Sequence, residues 1–223
     1  PEFHPDVVDY SLAGDVRSQA SGWAVDLGGS MGHNDFEYNL PNTLNVSLGP
    51  SLGSATAPGP DGIYGNTDDP GIPNQTSFFA GLVARNEAIA IANASKAVDL
   101  GLPKPVNVAV GAAYRREAYK ITPGERASWI DGGDTTQYGV DAPGGSQVFP
   151  GFSPSDEADA DRTNVGAYVD LESNLAEQFL ANVAGRFESY SDFGEVVTGK
   201  AAFRLQPSAR LTLRAAGSTG FRA

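Results

Sequence analysis

The chain has 223 residues with 15 basic and 27 acidic side chains, a net charge of −12; that acidic surplus argues against a nucleic-acid binder, which needs clustered Lys and Arg against phosphate. It has no cysteine and only two histidines, His4 and His33, which excludes disulfides, thiolate chemistry and a multi-histidine metal centre. A mean hydropathy of −0.25 and the lack of an apolar run of about 18 residues exclude a helical membrane span, but not a membrane protein that crosses with strands, whose alternation averages out as polar.

The first residues carry no signal-peptide pattern, and Pro1–Phe3 fits a cloning remnant. Tyr10, Leu12 and Val16 alternate with Ser11, Asp15 and Arg17. Trp23, Val25 and Leu27 then alternate with Ala24, Asp26 and Gly28. Period two with apolar residues on one side predicts half-buried strands. Residues 39–75 are rich in Gly, Pro and Asp and read as a long loop. Residues 78–98 are ambiguous. Their alanines favour helix, while the Ile89/Ile91 alternation and the hairpin context favour a strand, which is the preferred reading.

Val106, Val108, Val110, Ala112 and Tyr114 alternate with Asn107, Ala109, Gly111, Ala113 and Arg115. A second long loop follows at 121–163. Val165, Ala167, Val169 and Leu171 begin the next strand, and Phe179, Ala181, Val183, Gly185 and Phe187 the one after. Val197, Gly199, Ala201, Phe203 and Leu205 line a further strand opposite Lys200 and Arg204. Leu211, Leu213, Ala215 and Gly217 share a last face, with Arg210 and Arg214 on the other. The chain stops on this alternating run, so both ends read as cut from a longer protein.

The result is an all-β, antiparallel up-and-down meander of about eight strands. Each approaches the ten or so residues that a tilted membrane-crossing strand needs. Short connections at 19–22, 100–105, 173–178 and 206–208 fall on one side of such a meander. The long loops, and a medium turn at 191–194, fall on the other. That asymmetry predicts part of a larger transmembrane β-barrel. The soluble alternative is a β-sandwich binding module, whose strands are usually shorter.

The closing stretch sharpens this. Arg214, Ser218, Gly220, Phe221, Arg222 and Ala223 resemble the mid-barrel motif R-x-x-x-S-x-G-F-R-A-P of TonB-dependent outer-membrane receptors. The run Leu102–Tyr119, with Ala113 where the family often has Glu, is similar to another of its strands, and Phe78-Phe79-Ala80-Gly81 fits before it. The resemblance covers about Val7 to Ala223. It implies an interior piece of a barrel of about 22 strands, without the plug domain and the TonB-contacting box. It implies a Gram-negative outer membrane, contact with its lipid, a scarce nutrient as ligand (siderophore-bound iron, haem, cobalamin or a glycan), and TonB reached only through the missing plug. It implies no enzyme activity and no cofactor. An isolated piece with two unpaired edges is expected to oligomerise.

Several motifs compete with that reading. Gly28-Gly29-Ser30-Met31-Gly32 matches the G-x-S-x-G elbow of α/β hydrolases, with His33 next to it. This suggests, as the alternative, a soluble esterase using Ser30 and His33. The elbow needs a helix after the serine, and no helical stripe follows. Asp61, Asn66, Asp68 and Asp69 gather oxygen ligands in the first long loop, a weak calcium candidate without EF-hand spacing. The acidic run Asp156, Glu157, Asp159, Asp161 reads as a solvated loop tip.

Aromatics near strand ends (Tyr10 and Trp23 toward the short turns; Tyr114, Tyr119 and Trp129 toward the long loops) fit an interfacial girdle. Arg17, Arg115, Arg186, Lys200, Arg204, Arg210 and Arg214 are expected to pair across strands with Asp15, Asp26, Asp170, Glu172 and Glu188. Ligand contact is expected from aromatic loop tips, Tyr64 in the first long loop and Trp129, Tyr138 and Phe149 in the second.

Overall fold

The computed structural model describes residues 1–48, 75–133 and 139–220. Eight strands form one sheet in sequence order. They are β1 (His4–Ala20), β2 (Trp23–Pro41), β3 (Ser77–Val98), β4 (Val106–Pro123), β5 (Ala158–Ala176), β6 (Phe179–Tyr190), β7 (Gly194–Ser208) and β8 (Leu211–Ser218). The ambiguous segment is thus a strand of 22 residues. Its alternation and pairing override the helix preference of its alanines.

The register sorts the side chains into two faces. Leu171 stands opposite Val183, and Phe187 opposite Ala167. Val183 stands opposite Ala201, Phe187 opposite Val197 and Phe179 opposite Leu205. Leu205 in turn meets Leu213, and Phe203 meets Ala215. These rows make one continuous apolar face. Tyr168 meets Arg186 and Asp170 meets Ala184 on the other face, and Lys200 meets Ser218 there.

The apolar rows are open: Val197 is 76% exposed, Val183 58% and Leu213 51%. Burying such side chains is worth about 1.5–3 kcal/mol each. A contiguous patch left bare on this scale marks contact with lipid or a partner. Among the described residues no second sheet covers it, so the sandwich architecture is not the one adopted.

Four expectations are corrected. The first five strands run 17 to 22 residues, well past the ten or so inferred. Pairing continues where the alternation turns polar: Leu27 and Met31 on β2 give way at the same parity to His33, Asp35, Glu37 and Asn39. Arg210 lies in the turn between β7 and β8, not on a strand face. Tyr10 lies midway along β1, stacked on His33 at 4.8 Å, not at the short-turn end. The connections expected at 173–178 and 206–208 shrink to Glu177–Gln178 and Ala209–Arg210, because pairing runs on through Ala176 and Ser208, while two residues join β1 to β2 and long loops follow β2 and β4.

By contacts the chain divides into two units. The first comprises Pro1–Tyr10, His33–Asn86 and Ala118–Ala160; the second comprises Ser11–Gly32, Glu87–Glu117 and Asp161–Ala223. The first holds the buried core, Leu40, Phe78, Ala80 and Ala127, with Tyr38, Leu48 and Phe149 against it. The second is open sheet.

Candidate functional site

In the first unit the second long loop is built around Ser128, which is fully buried. Its carbonyl accepts from Ser146 N at 2.8 Å and from Gly151 N at 2.9 Å. Its hydroxyl donates to Glu125 O at 2.6 Å. A Cβ at Gly151 would collide with that hydroxyl, so only glycine lets the returning chain lie this close.

The foot of the first long loop is tied to the second. Asn45 Nδ2 donates to Ala127 O at 2.9 Å and to Ile130 O at 2.8 Å. Asn45 Oδ1 accepts from Ser47 Oγ at 2.6 Å, and Ser47 Oγ accepts from Gly132 N at 2.9 Å. Thr43 Oγ1 donates to Gln147 O at 3.1 Å. Thr43, Asn45 and Ser47 are all buried. Buried polar groups with every partner present fix a single arrangement.

An aromatic cluster lies in the same unit. Phe149 stacks on Tyr38 at 4.9 Å, and Phe152 meets both rings edge-on, Tyr38 at 5.5 Å and Phe149 at 5.3 Å. Tyr38 also packs on Phe36 at 4.8 Å and on Phe3 at 5.7 Å. Phe3 thus packs at the edge of this cluster, and Glu2 N donates to Pro41 O at 3.1 Å. Trp129 closes the short helix α1 (Arg126–Trp129), its Nε1 donating to Gly124 O at 3.2 Å.

Trp129 and Phe149, both expected at the ligand, thus sit half-buried within one loop body. Tyr64 and Tyr138, and the calcium candidates Asp61, Asn66, Asp68 and Asp69, lie outside the described residues. Further along the loop, Asp156 accepts from Ser153 Oγ and from Ser153 N, each at 2.8 Å. The hydroxyl bond first, and then the amide, hold its carboxyl below the usual carboxylate range. Asp161 lies 3.6 Å from Arg116.

The second unit carries charge on its polar face. Arg115 bonds Glu87 and, at 3.0 Å, Glu117. Arg162 reaches the other oxygen of Glu117 at 3.0 Å and Asp192 at 3.7 Å. Arg17 lies 3.1 Å from Asp15 and 3.6 Å from Asp26 across the hairpin. Arg186 pairs with Glu188 within its own strand at 2.8 Å, not across strands as expected. Asp170 takes a hydrogen bond from Asn182 at 2.6 Å. A groove of about 780 Å³, lined by Arg17, Asp26, Asn93, Asn107 and Tyr168 among others, opens on this face. Its lining mixes both charge signs and amides with Ala24, Val25, Ala94 and Ala109.

Ser30 and His33 do not form an elbow. Both lie on the continuous strand β2, where a separation of three puts them on opposite faces. His33 Nδ1 lies 2.7 Å from Asn86 Oδ1 and its Nε2 3.1 Å from Asp35. Both ring nitrogens are engaged by groups other than Ser30.

The sequence reading missed Asn45, Ser47, Ser128 and Tyr38 as organisers of the loops. The one available signal was the pair Gly124 and Gly151 flanking the loop, which marks close backbone approach.

Comparison with known proteins fits this geometry. A family model described as the β-barrel of TonB-dependent receptor-like proteins matches residues 3–223. No curated protein matches the chain. Among solved structures it is similar to the siderophore receptor PirA from Acinetobacter baumannii, with a TM-score of 0.58 and 14% identity, over 95% of this chain and 25% of that one. The chain thus spans a quarter of that receptor's length, and at this identity the likeness is one of fold. The eight-stranded meander with one apolar face, its long loops after β2 and β4, and a family match over nearly its whole length lead to one conclusion: the chain belongs to the TonB-dependent receptor family, as a stretch of its β-barrel.

Proposed function

We propose that the chain forms barrel wall and ligand-facing loops of an outer-membrane receptor that takes up a scarce nutrient, with ferric siderophores the first class to test. The observation that carries this reading is the open apolar face running through Leu171, Val183, Phe203 and Leu213. Lipid is the partner that such a face fits, because hydrocarbon covers it at no cost while water does not.

The polar face, with its Arg–Glu network and groove, would then look into the lumen. The long loops after β2 and β4 would meet the ligand. Trp129 and Phe149, with Tyr64 and Tyr138 in segments outside the described residues, are the proposed contacts. Coupling to TonB would run through a plug supplied by the rest of the receptor. An isolated chain would pair through its edge strands β1 and β8 or require detergent.

The siderophore class takes support from the likeness to a siderophore receptor. The test is genetic. Deleting the gene should abolish uptake of one nutrient class (ferric siderophore, haem, cobalamin or glycan), and the intact gene should restore it. Unchanged uptake of all four by the deletion strain would overturn the proposal.

A further inference from the structure

The turn from Ser146 to Phe149 carries a backbone conformation that its own sequence resists. Val148 has φ 83°, a left-handed value at which a β-branched residue is a genuine outlier. Glycine would hold it without strain. The neighbours impose it. Ser146 N donates to Ser128 O at 2.8 Å, and Gln147 N to Leu44 O at 2.9 Å. Thr43 Oγ1 donates to Gln147 O at 3.1 Å, and Ser146 Oγ to Phe149 O at 2.9 Å. On the far side Phe149 is stacked on Tyr38.

The side chain held in this way takes no part in the packing that holds it. Val148 is 58% exposed, and Leu44, whose carbonyl is tied to the preceding residue, is 42% exposed. The chain thus bears strain at a residue whose isopropyl group its own packing leaves uncovered. Strain of this kind concentrates at ligand clamps and binding sites, where the bound state uses it.

We propose that Val148 is a contact residue for the apolar part of the incoming ligand. The inference rests on the receptor reading above, in which the long loops meet the ligand. An isopropyl group on a neutral turn recognises hydrocarbon or aryl surface, not charge. A ligand whose outer surface is all carboxylate gains nothing from it. The class selected is therefore a nutrient complex with an aryl or aliphatic face.

The test uses the full-length receptor, purified in detergent, with four probes: an aryl-bearing ferric siderophore, a citrate-based ferric siderophore, haem and cobalamin. Val148→Gly removes the side chain and the strain together. It should leave the thermal midpoint unchanged or raise it, and weaken an aryl- or hydrocarbon-faced ligand about fivefold or more. Val148→Asn, polar but tolerant of the left-handed region, should weaken it likewise, and Val148→Ile should keep it. Affinities within twofold in both the Gly and Asn variants, or preferential loss of the citrate-based complex, would overturn the proposal while leaving the receptor reading intact. A lowered midpoint in Val148→Gly would overturn the strain argument on which it stands. An unaltered receptor that binds none of the four probes would overturn this inference, because every aryl- or hydrocarbon-faced class would then be excluded, whereas the receptor reading stands or falls on the uptake test above, which also covers glycans.

Discussion

The ring of Tyr168 lies against Gly111, filling the space that a side chain at that position would need. The Tyr168 hydroxyl donates to Asn93 Oδ1 at 3.0 Å, so one tyrosine ties β5 to β3 across the glycine of β4. The contact depends on the glycine, because a Cβ there would also collide with Asn93 Oδ1.

Gly111→Ala should therefore destabilise the folded barrel by about 1–3 kcal/mol, the usual cost of overpacking. Thermal unfolding in detergent reads this. Adding Tyr168→Ala to Gly111→Ala should recover part of the loss relative to the two single effects. Additive losses would show that the ring does not occupy that space.

Asn45→Ala would strip the side-chain donor from Ala127 O and the acceptor from Ser47, and would leave Ile130 O only its bonds from Gly145 N and Ser47 Oγ. Each group left buried without a partner costs about 1–3 kcal/mol. The effect should be local: faster amide exchange at Gly132, Gly145 and Ser146, with the β6 and β7 amides unchanged. Asn45→Asp should fare no better, because a carboxylate cannot donate to two carbonyls. Exchange unaltered at Gly132 would show that the knot does not hold the loop.

Arg115 joins Glu87 on β3 to Glu117 on its own strand. Its side chain is 42% exposed, so solvent screens the pair, and Arg115→Ala should cost only about 1 kcal/mol or less. The loss should shrink as salt rises. An effect of several kcal/mol, indifferent to salt, would mean that the network is buried by a part of the receptor packed on this face.

Asp156 gives a pH expectation with a definite sign. Its folded-state pKa is lowered by the Ser153 bonds, so its contribution is present above the unfolded value. It is lost as pH falls through the lowered folded pKa. Exchange of the Ser153 amide, which donates to Asp156 at 2.8 Å, should lose its protection in that acid range, and Asp156→Asn should remove the pH dependence. Protection that persists at acid pH would contradict it.

How much of this was legible in the sequence varies with range. The faces were legible because strand alternation is local: Phe203 and Leu205 fall with Leu213 whatever their partners. The strand ends were not. Residues 33–39 keep pairing while their outward row turns to His33, Asp35, Glu37 and Asn39, and polarity alone reads as loop. The loop body was illegible for a different reason. Asn45 finds Ala127 and Ile130 more than 80 residues away, and no local pattern encodes such a pairing. The aromatic tips were visible as residue types, but the stacking of Phe149 on Tyr38 needed the fold.

The two-faced sheet with one side on lipid is the claim from which the rest follows, and it is directly measurable, since these 223 residues carry no cysteine and any elsewhere in the receptor can be replaced by serine. Single cysteines at Val183, Leu213, Lys200 and Arg214, spin-labelled in the full-length receptor in lipid vesicles, report access to oxygen, which partitions into lipid, and to a water-soluble nickel chelate. The account predicts high oxygen and low nickel accessibility at 183 and 213, and an opposite or shielded profile at 200 and 214. Matching profiles at 213 and 214, or free nickel access at 183 and 213, would contradict it.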